Sequence, residues 1–125
     1  MLGYTCLGTN DLERAGRFYD GLLGEMGMKR LKEAPIFIAW SATDGAPAVM
    51  LIKPNDGNAA TVGNGVMVAF GMDSKADIDA FHARALELGA TDEGAPGQRG
   101  ETFYAAYVRD PDGHKICAYN AEWLA

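Results

Sequence analysis

Residues 107–119, YVRDPDGHKICAY, decide the fold. They read as two short apolar strands joined by an Asp-Pro-Asp-Gly turn, proline presetting φ and glycine supplying a residue that tolerates positive φ. Ahead of this hairpin, residues 74–89, SKADIDAFHARALELG, place Ile78, Phe81, Ala85 and Leu88 at steps of three and four, with Ser74 and Asp77 in capping positions and Gly89 as the stop. That spacing predicts an amphipathic helix. The strand VMVAF at 66–70 precedes it, and runs near 91–94, 102–109 and 114–119 follow it as strands. The C-terminal half therefore reads βαβββ.

The N-terminal half repeats the device. YTCLG at 4–8 is a strand, and NDLERAGRFYDGLLGEMG at 10–27 carries Leu12, Ala15, Tyr19, Leu22 and Met26 on one face, with Asn10 and Glu13 in capping-box spacing. Strands near 28–33, 36–42 and 47–53 complete a second βαβββ. An offset of 63 superposes Phe18 on Phe81, Leu23 on Leu86, Leu7 on Phe70 and Tyr4 on Met67. The turn-rich stretch at 54–64 is the connector, so one domain spans 1–125, with module one at about 1–53 and module two at about 65–125. The expected fold class is α+β, two βαβββ modules forming a cupped mixed sheet with helices on the outer face.

Period-two alternation assigns the faces. In HKICAY, Ile116 and Ala118 share one face while Lys115, Cys117 and Tyr119 share the other. The same reading places Tyr4, Cys6, Leu51, Met67 and Cys117 on the helix-free face, the wall of a cavity where the halves curve toward each other.

Composition narrows the function. A formal charge of −6, with 11 basic residues scattered along the chain, argues against nucleic acid and anionic membranes as partners. No basic-then-apolar opening and no span of membrane length is present, and the two cysteines form neither a disulfide framework nor a metal knuckle. A cytoplasmic protein with a small organic molecule as partner is expected. The apolar Trp123 and Leu124 near the end of the chain point to a homodimer.

The opening YTCLGTNDLERAGRFYDGLLG, the central GNGVMVAF and ALELGA, and the closing FYAAYVRDPDGHKICAY together resemble the vicinal oxygen chelate superfamily, which groups glyoxalase I, extradiol dioxygenases, fosfomycin-resistance and bleomycin-resistance proteins. The resemblance covers nearly the whole chain. It implies a divalent metal held by residues of the first and fourth strands of each module, commonly His, Glu, His and Glu. Those positions fall here on Tyr4, Leu51, Met67 and Cys117, none of which is of the implied type. A hard divalent ion is poorly served by Tyr, Leu, Met and Cys, so neither a metal nor another cofactor is expected.

Further candidates are read against plainer roles. Cys117 as a nucleophile needs a neighbour to lower its pKa, and burial as a small apolar side chain is the favoured reading; a soft Cys, Met and Tyr site for a thiophilic metal is a distant alternative. Arg99, alone in the Gly-rich loop APGQRGETF, is placed to grip a carboxylate or phosphate, with Glu101, Tyr104 and Trp40 as possible neighbours on the rim or wall. His114 reads as part of the turn and His82 as a helix-surface residue. The leading expectation is a small-molecule-binding protein whose ligand contacts are Tyr4, Cys6, Leu51, Met67, Arg99 and Cys117. The rivals are a glyoxalase-like lyase or isomerase, using a displaced metal site or a metal-free acid–base pair such as Tyr4 with His114 or Glu101, and an interaction module whose cavity is filled core.

Overall fold

A computed structural model describes residues 1–124, apart from the Leu124 side chain. Contacts divide the chain into two compact units, Met1–Gly63 and a second beginning at Asn64. In module one, β1 (Tyr4–Gly8) and α1 (Leu12–Gly24) precede β2 (Lys29–Ala34), β3 (Phe37–Ser41) and β4 (Ala48–Ile52), in the sheet order β1-β4-β3-β2. In module two, β5 (Met67–Gly71) and α2 (Lys75–Glu87) precede β6 (Thr91–Gln98), β7 (Phe103–Arg109) and β8 (Lys115–Ala121), in the order β5-β8-β7-β6. The first strand pairs parallel with the last and the other pairs are antiparallel, so both sheets are mixed and each module is βαβββ. The fold is α+β. No helix among the described residues is long and apolar enough to cross a membrane.

The repeat is most exact at its start. The bounds of β1 and α1 correspond to those of β5 and α2 at the same offset of 63. Further on the correspondence slips: Ala48 lies opposite Tyr4 as Lys115 lies opposite Met67, which makes the offset 67 for the last strand. The counterpart of Cys117 is therefore Met50.

That register corrects one face assignment. Leu51 pairs with Leu7 and Ile38, whereas Cys6 pairs with Met50, so Leu51 lies on the opposite face from Tyr4 and Cys6. It is fully buried with Leu7, Ile38, Trp40 and Val49, the sheet's contribution to the core that Phe18, Tyr19, Leu22 and Leu23 of α1 complete. The alternation was right and the phase was wrong, because an uninterrupted apolar run such as AVMLI does not mark its own inner face.

The helices also show where side-chain chemistry departs from expectation. The α1 N-cap is Asp11, whose carboxylate accepts the Arg14 N–H at 2.9 Å, while Asn10 reaches the connector and exchanges hydrogen bonds with Ala60. The connector is thus tied to module one. In α2, Ser74 accepts the Asp77 N–H as the sequence predicts, and Gly89 adopts φ of +110° after the last turn. His82 is buried, contrary to its expected surface position, because its Nε2 meets Asp92 of β6 at 2.9 Å. Strand β6 runs to Gln98, well beyond 94, with two register irregularities absorbed around Gly94 and Gly97.

Candidate functional site

Each sheet has one face under its helix and one face free of it, and the expected ligand contacts divide between these. In module one, Tyr4 and Cys6 share the helix-free face with Met50, and both are exposed. Leu51 does not join them. Partial burial raises the Cys6 pKa above the ordinary thiol value.

In module two, the pairings Met67 with Lys115, Ala69 with Cys117, Cys117 with Tyr107, and Tyr107 with Gly94 run across the helix-free face. Met67 and Cys117 therefore do share it, with Met67 exposed and Cys117 fully buried. Arg99 reaches the same face. Its guanidinium carbon lies 5.7 Å from the Tyr107 ring centroid, and Nη2 donates to the Ala95 carbonyl at 2.7 Å. Lys115 lies over the same ring, with Nζ 5.0 Å from the centroid. These are cation–π distances.

Glycine makes the Arg99 placement possible. A Cβ on Gly97 would come within 2.8 Å of Arg99 Nη1, and one on Gly94 would lie 2.9 Å from Tyr107 Cδ2 and 3.3 Å from Arg99 Nη2. Both glycines lie in β6, where a missing side chain permits close approach. Alternation within β8 puts Lys115 and Cys117 together but says nothing of Tyr107, which lies on the next strand. Extending the hairpin register back from the Asp110–Gly113 turn pairs Tyr107 with Cys117, and that was the signal available.

Cys117 is not built as a nucleophile. Burial pushes its thiol up to about 11, and this outweighs the hydrogen bond from Tyr107 and the nearby positive charges of Lys115 and Arg99, which act in the opposite direction. Burial and the thiol also raise the Tyr107 hydroxyl above its ordinary value.

The remaining candidates serve their own modules. Trp40 is buried on the helix side of module one and donates Nε1–H to Asp20 at 2.9 Å, so it is not a wall of the helix-free face. The Tyr104 hydroxyl donates to Asp79 of α2 at 2.7 Å, on the helix side of module two. The backbone carbonyl of Glu101 accepts from the Gln98 side chain. His114 is part of the turn: its N–H donates to the Asp110 carboxylate at 2.9 Å, and its carbonyl accepts the Asp110 N–H. Trp123 is exposed but stacks on Phe103, which in turn stacks on Tyr119, so it has an intramolecular partner; the Leu124 side chain lies outside the described residues.

The donor set does not fit the divalent ion that the fold implies. Among the described residues no three His, Cys, Asp or Glu side chains are grouped to hold a metal. Of the four positions, Leu51 is a core hydrocarbon, its structural replacement Met50 offers only a thioether, and Cys117 is held as the neutral thiol.

Two βαβββ modules with parallel first-to-last pairing place the chain in a recognisable class. Residues 1–118 match the sequence profile of the glyoxalase/bleomycin resistance protein/dioxygenase superfamily, and the chain belongs to that family. A glyoxalase/bleomycin resistance protein from Albidiferax ferrireducens is 38% identical, with 95% of this chain and 97% of that chain covered and a TM-score of 0.86. A family enzyme from Burkholderia phytofirmans (19% identity, 95% and 97% covered, TM-score 0.77) and a lactoylglutathione lyase from Agrobacterium tumefaciens (21%, 95% and 92%, 0.72) share the fold. None of the functionally curated proteins is significantly similar to it.

Proposed function

We propose that this chain is a metal-independent small-molecule-binding protein of the glyoxalase/bleomycin resistance type, acting in the cytoplasm as a homodimer, with no nucleic acid or membrane partner. The observation that carries this reading is the helix-free face of module two. Tyr107, Met67 and Tyr119 form a mostly apolar, polarizable surface there, and Arg99 and Lys115 bring positive charge to it. Such a surface suits a small, partly apolar organic ligand better than it suits catalysis. Its thiol, Cys117, stays protonated near neutral pH, and among the described residues no three His, Cys, Asp or Glu side chains are grouped to hold a metal. The pair of free cysteines is consistent with a reducing compartment.

The test is a thermal-shift screen of metabolites with and without divalent metals, because a ligand that binds only the native state raises Tm by mass action. A metabolite that raises Tm equally with and without chelator supports the reading. About one metal ion per chain, lost together with ligand binding on chelation, would overturn it. The enzyme reading, a lyase or isomerase, requires turnover of such a ligand. Sedimentation at micromolar concentration decides the dimer, and a stable monomer removes it.

A further inference from the structure

The geometry points to an oxyanion-binding site on the helix-free face of module two, in which Arg99 and Lys115, on either side of Tyr107 in the sequence and both over its ring, hold the carboxylate or phosphate group of a small organic ligand. The inference rests on the small-molecule reading above and specifies the ligand's chemistry.

Three observations carry it. First, the charges are uncompensated. Among the described residues neither Arg99 nor Lys115 has an ion-pair partner, whereas the third cation on this face, Arg109, is bound to Glu93 at 3.1 Å and to the Gly113 carbonyl. In a chain of net charge −6, two free cations over one ring centroid are complementary to an anion.

Second, the arginine is positioned before any ligand arrives. One Nη donates to the Ala95 carbonyl, Gly94 and Gly97 leave the space it occupies, and Tyr107 lies beneath the guanidinium. A planar fork already oriented loses less freedom on binding a carboxylate or phosphate than a solvated arginine does. Lys115, half-buried on a central strand, adds a compact second charge. Third, an apolar bed adjoins the charges. Met67 is the register partner of Lys115, and Ala69 that of Cys117, so a ligand with its anionic end on the cations lays its body along β5.

The probes are benzoate and phenyl phosphate, with benzamide as the neutral analogue, each titrated by calorimetry and thermal shift into the full chain. Benzoate, phenyl phosphate or both are expected to bind, and the one that responds separates carboxylate from phosphate. Arg99→Ala and Lys115→Met each weaken that binding by about tenfold or more while benzamide binding is unchanged. Gly97→Ala keeps every charge but intrudes on the guanidinium, so it weakens anion binding several-fold, by less than Arg99→Ala does. Unliganded Tm values within a few degrees of the parent show that the variants are folded. Anion binding indifferent to both charge variants, or benzamide binding as tightly as the anions, overturns the oxyanion site and leaves the small-molecule reading standing. If none of these probes and no metabolite in the wider screen binds, both fail.

Discussion

In module one a glycine-cradled arginine, Arg30, works beneath the helix, and in module two another, Arg99, works on the face the helix leaves open. Arg30 of β2 lies between Asp20 of α1 and Glu33, donating to Asp20 at 2.8 Å through both Nε and Nη2, and the same carboxylate accepts the Trp40 indole N–H. Gly16 of α1 allows this, since a Cβ there would come within 2.9 Å of Arg30 Nη2. In module two the glycines that make room for an arginine are on β6 instead, and among the described residues that exposed arginine has no ion-pair partner. The same strand order and helix length therefore host two uses of a glycine-cradled guanidinium. One clamps a helix to its sheet, and the other is left with donors to spend. A repeat constrains the positions that fill the core, and the helix-free face is where its two copies are able to diverge.

The widest separation expected from that contrast is between the two faces of module one. Leu51→Ala is expected to cost about 2–5 kcal/mol in denaturant unfolding, because it leaves a cavity under α1, whereas Tyr4→Ala on the neighbouring strand is expected to stay within about 0.5 kcal/mol. Equal costs would mean that the face assignment is wrong.

Cysteine reactivity sharpens the contrast between modules. With its thiol at about 11, Cys117 in the native protein should react with iodoacetamide near pH 8 on the order of a hundredfold more slowly than an ordinary thiol. Exposed Cys6 should be labelled first, as read by mass spectrometry of peptides. A folded-state pKa raised above the unfolded value also means that this group's stabilisation is present below the ordinary thiol pKa. It is lost as pH rises toward 11, visible as a falling urea midpoint at alkaline pH.

The helix clamp makes the opposite pH prediction. The Arg30 hydrogen bond holds the Asp20 carboxyl below the usual carboxylate range. Its contribution is present above the ordinary aspartate pKa and lost as pH falls through the lowered one. Asp20→Ala should cost about 1–2 kcal/mol at neutral pH, a modest figure because the pair is partly solvated, and the difference from the parent should shrink in acid. A constant difference down to the acid limit would assign the cost to packing alone.

The two helix caps carry a modest and symmetric effect. Asp11→Ala and Ser74→Ala each remove an N-cap acceptor and should each cost about 1 kcal/mol. Asn10→Ala, which spares the cap, should instead loosen the connector at Ala60, seen as faster amide exchange there.

Local pattern was enough for much of this. The 3.6-residue periodicity of the two helices, the Asp-Pro-Asp-Gly turn and the self-similarity of the halves are properties of neighbouring residues, and they specified two βαβββ modules; the family followed from the resemblance of the motifs and the profile match over residues 1–118. They also placed Tyr4 and Cys6 together, and Met67 with Cys117, because alternation is correct within any strand once one inward residue is known. What needed tertiary structure was the phase between strands. AVMLI is apolar on both faces, so only its pairing with β1 and β3 showed that Leu51 faces the helix and that Met50 is the counterpart of Cys117. The burial of His82 is not legible in α2 alone, because the Asp92 that draws it inward belongs to another element. Arg99 was noticed for its charge, but the ring beneath it, the second cation and the glycines that admit it come from β6, β7 and β8, brought side by side by a register that hydrogen bonds across the sheet decide.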